Sequence, residues 1–401
     1  MGAGTARGGA CLLISGNVRK NMEFVVFAGV LLLLFIFMIV QELIQTKNQE
    51  KLFKKYLREN YGKEPPKEYS LERFARLGSY LERHKEEKQL DDITWNDLGM
   101  DEVFRRIDRT YSAAGEEYLY YTLRNISCGR EAMEHLEEVV NWLQEQEDIK
   151  VRIQLLMKRL GHLGKYSLYD YLDNLDYLGE RSNRKIVLGN LLYLPFLLLL
   201  FVQPAMGTIG IVLCMLWHIM TYFREKKVIE PYIISFAYVL RLIDVCEELE
   251  KQKIPVYRRE LDELREVLKS LRELRRGSYW VMAGNQGKIG GNPLDILADY
   301  LRMILHLDIF QFNRMLEKLR KKTGQVETML AITGYLDMAI SVGGFRKSLE
   351  GYCIPKLEED TEKAFLHMKK GWHPLLSQPV KNSIRADRGI LLTGSNASGK
   401  S

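Results

Sequence analysis

The last eight residues carry the most specific chemistry in the chain. Gly394-Ser395-Asn396-Ala397-Ser398-Gly399-Lys400-Ser401 fits G-x-x-x-x-G-K-[ST] at every fixed position. Gly394 and Gly399 let the backbone curl so that successive N–H groups, running past Ser395, Ala397 and Ser398, point inward at phosphate oxygens. Lys400 would place a point charge on the β and γ phosphates of ATP, and Ser401 would offer its hydroxyl to Mg²⁺. Asn396 either assists at the γ-phosphate or shapes the loop. The competing reading is a glycine-rich turn whose lysine faces solvent.

Such a loop needs a strand before it and a helix after it. Gly389-Ile390-Leu391-Leu392-Thr393 is a short apolar run of the kind expected of a buried parallel strand. The helix whose N-terminus would face the anion, and an acidic residue for Mg²⁺ and water, are not reached by Ser401, so the chain reads as part of a larger ATPase. A second glycine-rich stretch, Ser278 to Pro293, contains Gly287-Lys288. Ile289 follows where a hydroxyl is required, so that stretch reads as a connector.

Three segments lack charge almost entirely: Phe24 to Val40, Ile186 to Val202, and Gly207 to Phe223 with its one histidine, His218. Each approaches the roughly 17–25 residues that cross a bilayer, and none keeps the polar face of a soluble helix. Only Gln203-Pro204-Ala205-Met206 separates the last two, which predicts a tight transmembrane hairpin. Arg181, Arg184 and Lys185 flank one open end; Arg224, Lys226 and Lys227 flank the other. Positive flanks stay inside. The cluster Lys47, Lys51, Lys54, Lys55 and Arg58 after the first segment outweighs Arg7, Arg19 and Lys20 before it. Both counts place residues 41–181 and everything after Arg224 in the cytoplasm, with the N-terminus outside.

The cytoplasmic parts read as helical. Tyr257, Leu261, Leu264, Leu268, Leu271 and Leu274 form a short coiled-coil-like stripe. Its other faces carry Arg258, Arg259, Arg265, Lys269, Arg272, Arg275 and Arg276 among glutamates, which reads as a solvated face or, more sharply, as phosphate contact with a duplex. Pro255 breaks the preceding helix. Leu294 to Lys322 predicts one amphipathic helix, and Val326 to Val342 another, whose Ala331, Gly334, Ala339 and Ser341 suit close packing. The chain of 401 residues is 46% hydrophobic and 27% charged with a net charge of +6. That excludes a disordered charged tail and does not by itself demand nucleic acid. Five cysteines without a CxxC pair argue against a disulfide framework or structural zinc.

Thr393 to Ser401 resembles the phosphate loop of the MutS family of DNA mismatch repair ATPases, with its T-G-x-N-x-x-G-K-S form. Gly371-Trp372-His373-Pro374-Leu375-Leu376 is similar to the segment that opens the family's ATPase domain, which implies a place near the adenine for His373. Asp337 with Ser341, then Tyr352 and Pro355, is similar to the helix before that domain. Asp91 to Arg124, with Thr110, Ser112, Gly115, Leu119 and Leu123, resembles the start of the family's helical core. Nothing corresponds to the mismatch-reading domain or its Phe-x-Glu wedge, and a transmembrane hairpin interrupts the core.

The expected architecture is mainly α: three transmembrane helices and a helical core and lever region, running into the first strand and P-loop of an α/β ATPase domain. Residues 1–23 are an extension, 24–40 a span, 41–90 a linker, 91–185 a core-like region, and 186–223 the hairpin. Residues 224–325 are lever-like helices, 326–370 connector helices, and 371–401 the start of the ATPase domain. The expected function is that of a multi-pass cell-membrane ATPase coupled to double-stranded, mismatched DNA and working as a homodimer, as the resemblance implies. The alternatives are an ATPase acting on protein partners without nucleic acid, or a non-catalytic anchored fragment.

Overall fold

In the computed structural model the described residues are 36–41, 44–63, 69, 71–85, 88–126, 129–163, 167–272, 293–358, 365–376 and 378–391. The fold is mainly helical. Residues 44–60 form α1. Then follow α2 (Leu71–Arg83), α3 (Asp92–Asp97), α4 (Met100–Ile107), α5 (Ala113–Arg124), α6 (Arg130–Glu145), α7 (Glu147–Leu160) and α8 (Leu168–Asp173). Next come α9 (Arg184–Leu191), α10 (Tyr193–Val202), α11 (Pro204–Glu250), α12 (Arg258–Leu271), α13 (Pro293–Leu305), α14 (Leu307–Arg320) and α15 (Thr323–Lys347). Two strands close the order, β1 (Leu366–Gly371) and β2 (Asn382–Ala386).

These residues form two compact units. The first holds α1. Most of the expected span 24–40 lies outside the described residues, but Ile36 to Val40 are helical with exposed apolar side chains. The second unit holds residues from Asn60 onward except 290–294.

The centre of the second unit is α15, which packs on α4, α5, α6, α7, α11 and α12. Its buried residues run from Val326 to Gly344 and cover every face, so the amphipathic helix expected over 326–342 is instead buried all round, a central helix with no solvent face. The leucine stripe of α12 enters the same core: Tyr257, Leu261, Leu264, Leu268 and Leu271 are all buried. Leu274 lies outside the described residues.

Among the described residues three helical stretches are long and apolar enough to cross a membrane: Arg184–Val202, Pro204–Glu230 and Thr323–Lys347. The first two are the expected hairpin, and their apolar windows are only 6% and 28% buried by protein. The third is α15, whose window is 72% buried, so protein rather than lipid covers it.

The hairpin turns at Gln203, and Pro204 starts α11, where a missing N–H costs nothing. A Cβ at Gly210 would fall 2.0 Å from the Phe196 ring, so a larger residue there would push the two helices apart. The break between α9 and α10 precedes Pro195, which cannot donate to the carbonyl four residues back; Leu192 N–H bonds Gly189 O instead, at 3.1 Å.

Two expectations change. Residues 71–83, read as linker, form a core helix with Leu77 and Tyr80 buried. The single helix expected over 294–322 divides at His306, whose φ of 54° breaks the helical path and starts α14.

Candidate functional site

The predicted nucleotide residues Gly394, Ser395, Asn396, Ala397, Ser398, Gly399, Lys400 and Ser401, the last also the expected Mg²⁺ ligand, lie outside the described residues, as do Leu392 and Thr393. The approach to them is described. Strands β1 and β2 pair antiparallel, Leu366 opposite Ala386 and Met368 opposite Ile384, with a bulge before Gly371. His373 sits in the connection between them. Its Nδ1 accepts from Leu375 N–H at 3.3 Å and its carbonyl from Leu376 N–H at 3.2 Å. The ring is exposed and closes a turn.

Gly389 to Leu391, expected to begin a buried strand, has no strand structure, and Leu391 is 89% exposed. An apolar run becomes a central strand only when strands flank it and helices cover it. Among the described residues the only sheet is the β1–β2 pair.

The structure does bring together residues that carry the family resemblance at a distance in sequence. Ser112 caps α5 by accepting from Gly115 N–H at 3.1 Å. Asp337, from α15, accepts from Ser112 N–H at 2.9 Å, Ser112 Oγ–H at 2.6 Å and Tyr111 N–H at 3.1 Å. A carboxylate therefore lies against the positive end of α5. One turn on, Ser341 Oγ accepts from Arg109 N–H and donates to Ile107 O, each at 2.8 Å. Together the two side chains clasp residues 107–112. A Cβ on Gly115 would fall 2.4 Å from Asp337 Oδ2, so only glycine admits this carboxylate. Tyr352 and Pro355 are exposed and take no part; the Arg346 guanidinium lies over the Tyr352 ring.

Beside the clasp lies a charged cluster that spacing did not reveal. Glu116 is fully buried. It accepts from Arg73 Nε at 2.6 Å and from Arg76 Nη2 at 2.8 Å, with His162 Nδ1 at 3.4 Å. Arg76 also donates to Leu163 O at 2.9 Å. Buried Asp108 accepts from Thr110 N–H and Oγ1–H at 2.9 and 2.6 Å and from the Tyr69 hydroxyl. The cluster ties α2, α5 and the segment after α4 together. The only sequence signal was the pair Glu116-Glu117 in the first turn of an otherwise apolar helix.

Glu117 differs from its neighbour. It is held by Ser167 Oγ–H at 2.9 Å. Burial pushes its carboxyl up from an ordinary 4.5 to about 8, against the lowering effects of Ser167 and Arg76. The folded protein therefore keeps this proton across a range where the unfolded chain has lost it. Its contribution is fully present below about pH 4.5 and is lost as pH rises through about 8. Glu117→Gln, which keeps an acceptor for Ser167, is expected to flatten the fall in stability between pH 5 and 8. Denaturant midpoints at several pH values check this; parallel profiles for the two proteins would refute it.

Three cations of the basic face of α12 are paired within the protein, Arg259 and Arg272 are exposed, and Arg275 and Arg276 lie outside the described residues. Arg265 bonds Glu250 at 2.6 Å and Asp262 at 2.8 Å, Lys269 bonds Glu266 at 2.6 Å, and Arg258 lies 3.8 Å from Asp262. That is the solvated face of the milder reading. Among the described residues no group of three His, Cys, Asp or Glu side chains could hold a metal ion. No protein-family model, no curated protein and no solved structure matches the chain.

Proposed function

We propose that the intact protein is a membrane-anchored ATPase of MutS type. ATP binds at Gly394 to Ser401 in an α/β P-loop domain, with Mg²⁺ on Ser401 and the adenine near His373. Two copies act as a homodimer in the cell membrane, with the helical and ATPase parts in the cytoplasm. The observation that carries this reading is the complete G-x-x-x-x-G-K-S spacing. Two further observations support it. The hairpin exposes apolar helices flanked by basic residues, and Asp337, Ser341, Ser112 and Gly115, all part of the resemblance, meet in one clasp.

The helical body relays the nucleotide state between the phosphate loop and the hairpin. A duplex is one load on that relay, and a protein partner is the second reading. The internal pairing of Arg258, Arg265 and Lys269 favours the partner, because those cations are already engaged by carboxylates of α12 itself and, for Arg265, by Glu250 at the end of α11.

Photolabelling of the intact protein in membranes with azido-ATP tests the nucleotide site. Labelling should need Mg²⁺ and fall at least tenfold in Lys400→Ala; equal labelling of the two proteins would end the ATPase reading. Duplex binding measured at low and high salt separates the two loads. A DNA-coupled enzyme loses affinity steeply with salt, whereas no binding at low salt leaves the partner reading.

A further inference from the structure

At the open end of the hairpin, α9, α11 and the α13–α14 junction enclose a cavity of about 790 Å³, a size typical of small-molecule sites. Its walls change character along its length. At one end Arg181 bonds Glu225 at 2.6 Å, with Glu180 and Lys185 beside them. One turn along α9, Gly189 lies against the rings of Trp217 and His218. There the lining is Leu188, Leu192 and Trp217, which are 65%, 48% and 50% exposed on the apolar flank of the hairpin.

The polar end is incompletely satisfied. Arg181 Nη1 and Asn313 Oδ1 are buried atoms without a hydrogen bond among the described residues. Asn313 is 8% exposed, and both residues line the cavity. Buried polar atoms are nearly always satisfied, so these point to an occupant. Their chemistry is legible. Thr221 Oγ1 lies 3.0 and 2.9 Å from the Trp217 and His218 carbonyls and 3.3 Å from His306 Nε2, and the His306 ring also bonds the Ile304 carbonyl. Burial, and secondarily His218, holds His306 down at about 4 and hence neutral. One open acceptor, Asn313 Oδ1, and one open cationic donor, Arg181 Nη1, remain, among two lysine or arginine and two glutamate side chains whose charges cancel.

An occupant with an anionic acceptor for Arg181 and a donor for Asn313 Oδ1 on one head, and an apolar body at the other end, would satisfy both atoms. We propose that this cavity binds a membrane phospholipid with a phosphoethanolamine headgroup, its phosphate on Arg181 and Lys185, its ammonium toward Asn313 and Glu225, and its acyl chains leaving past Leu188, Leu192 and Trp217. The inference rests on the reading of the hairpin as membrane-spanning.

The test is native mass spectrometry of the full chain in mild detergent, offered phosphatidylethanolamine, phosphatidylcholine and phosphatidylglycerol at equal concentration. One ethanolamine lipid per chain should be retained at least fivefold over the choline lipid, which lacks the donor, and over the anionic glycerol lipid. Lys185 is exposed, so Lys185→Glu should erase that preference without moving the unfolding midpoint. Excess soluble phosphoethanolamine should not displace the lipid. Equal retention of the three lipids, preference for the glycerol lipid, or displacement by the free headgroup would each overturn the proposal. Carbonate extraction separates the two levels. A chain that stays in the membrane pellet but shows no lipid preference loses only the lipid site; a chain released by carbonate loses the membrane reading and the lipid site with it.

Discussion

Glu116→Ala is expected to destabilise the helical core by about 3–5 kcal/mol, the range for breaking a buried ion pair from one side. The substitution removes a carboxylate that Arg73 and Arg76 both engage through their side-chain nitrogens at 2.6–2.8 Å. Arg76 is 7% exposed, so its charge cannot turn to water without opening the packing of α2 on α5. The fully buried Glu116 is also the partner of His162. Arg76 keeps its bond to Leu163 O, which holds the guanidinium in place and so preserves the penalty. Denaturant unfolding followed by the fluorescence of buried Trp95 measures the loss. A change under about 1 kcal/mol, the scale of an exposed pair, would show that the cluster does not hold the core.

Asp337→Ala should cost a similar amount by a different route. Three donors converge on this one carboxylate: Tyr111 N–H, Ser112 N–H and Ser112 Oγ–H. Each buried donor left without a partner costs about 1–3 kcal/mol. Ser112 can redirect its hydroxyl, so about 3–4 kcal/mol is expected rather than the full sum. Asp337→Asn keeps one acceptor oxygen and removes the charge that faces the α5 N-terminus; it should recover about half of the loss. A variant series in which Asn is no better than Ala would mean that the clasp works by shape alone. Because Gly115 exists to admit this side chain, Gly115→Ala in the Asp337→Ala background should be far milder than in the native protein, a coupling that a double-mutant cycle measures.

Much of the helical framework was legible because burial imposes a period on the sequence. The α12 stripe is buried where its spacing placed it. The uncharged stretch from Ile186 to Phe223 forms the hairpin, but the expected four-residue link shrinks to Gln203 because Pro204 to Met206 already belong to α11, and the first arm divides at Leu192. Helix α2 reads as linker rather than core because its interior positions include Arg73 and Arg76. Their partner Glu116 lies far along the chain, so no local pattern marks them as inward-facing. The division at His306 carries neither glycine nor proline. Helix α15 shows a different limit. By composition it qualifies as a membrane span alongside the hairpin, and only the neighbours that cover it decide the matter. Of the predicted nucleotide site, His373 is described and the loop is not. The described part of the apolar run before it, Gly389 to Leu391, is exposed, since a central strand is defined by neighbours rather than by its own residues.

Helix α11 runs unbroken for 47 residues, about 70 Å at 1.5 Å per residue. Its first half belongs to the hairpin and its second half packs on α7, α12 and α15. Pro231 sits at the boundary between them and has no N–H to give the Lys227 carbonyl, which makes it the natural bending point of the helix. Bilayer thickness, by setting the inclination of the apolar half, would be taken up by bending there before it reached the core.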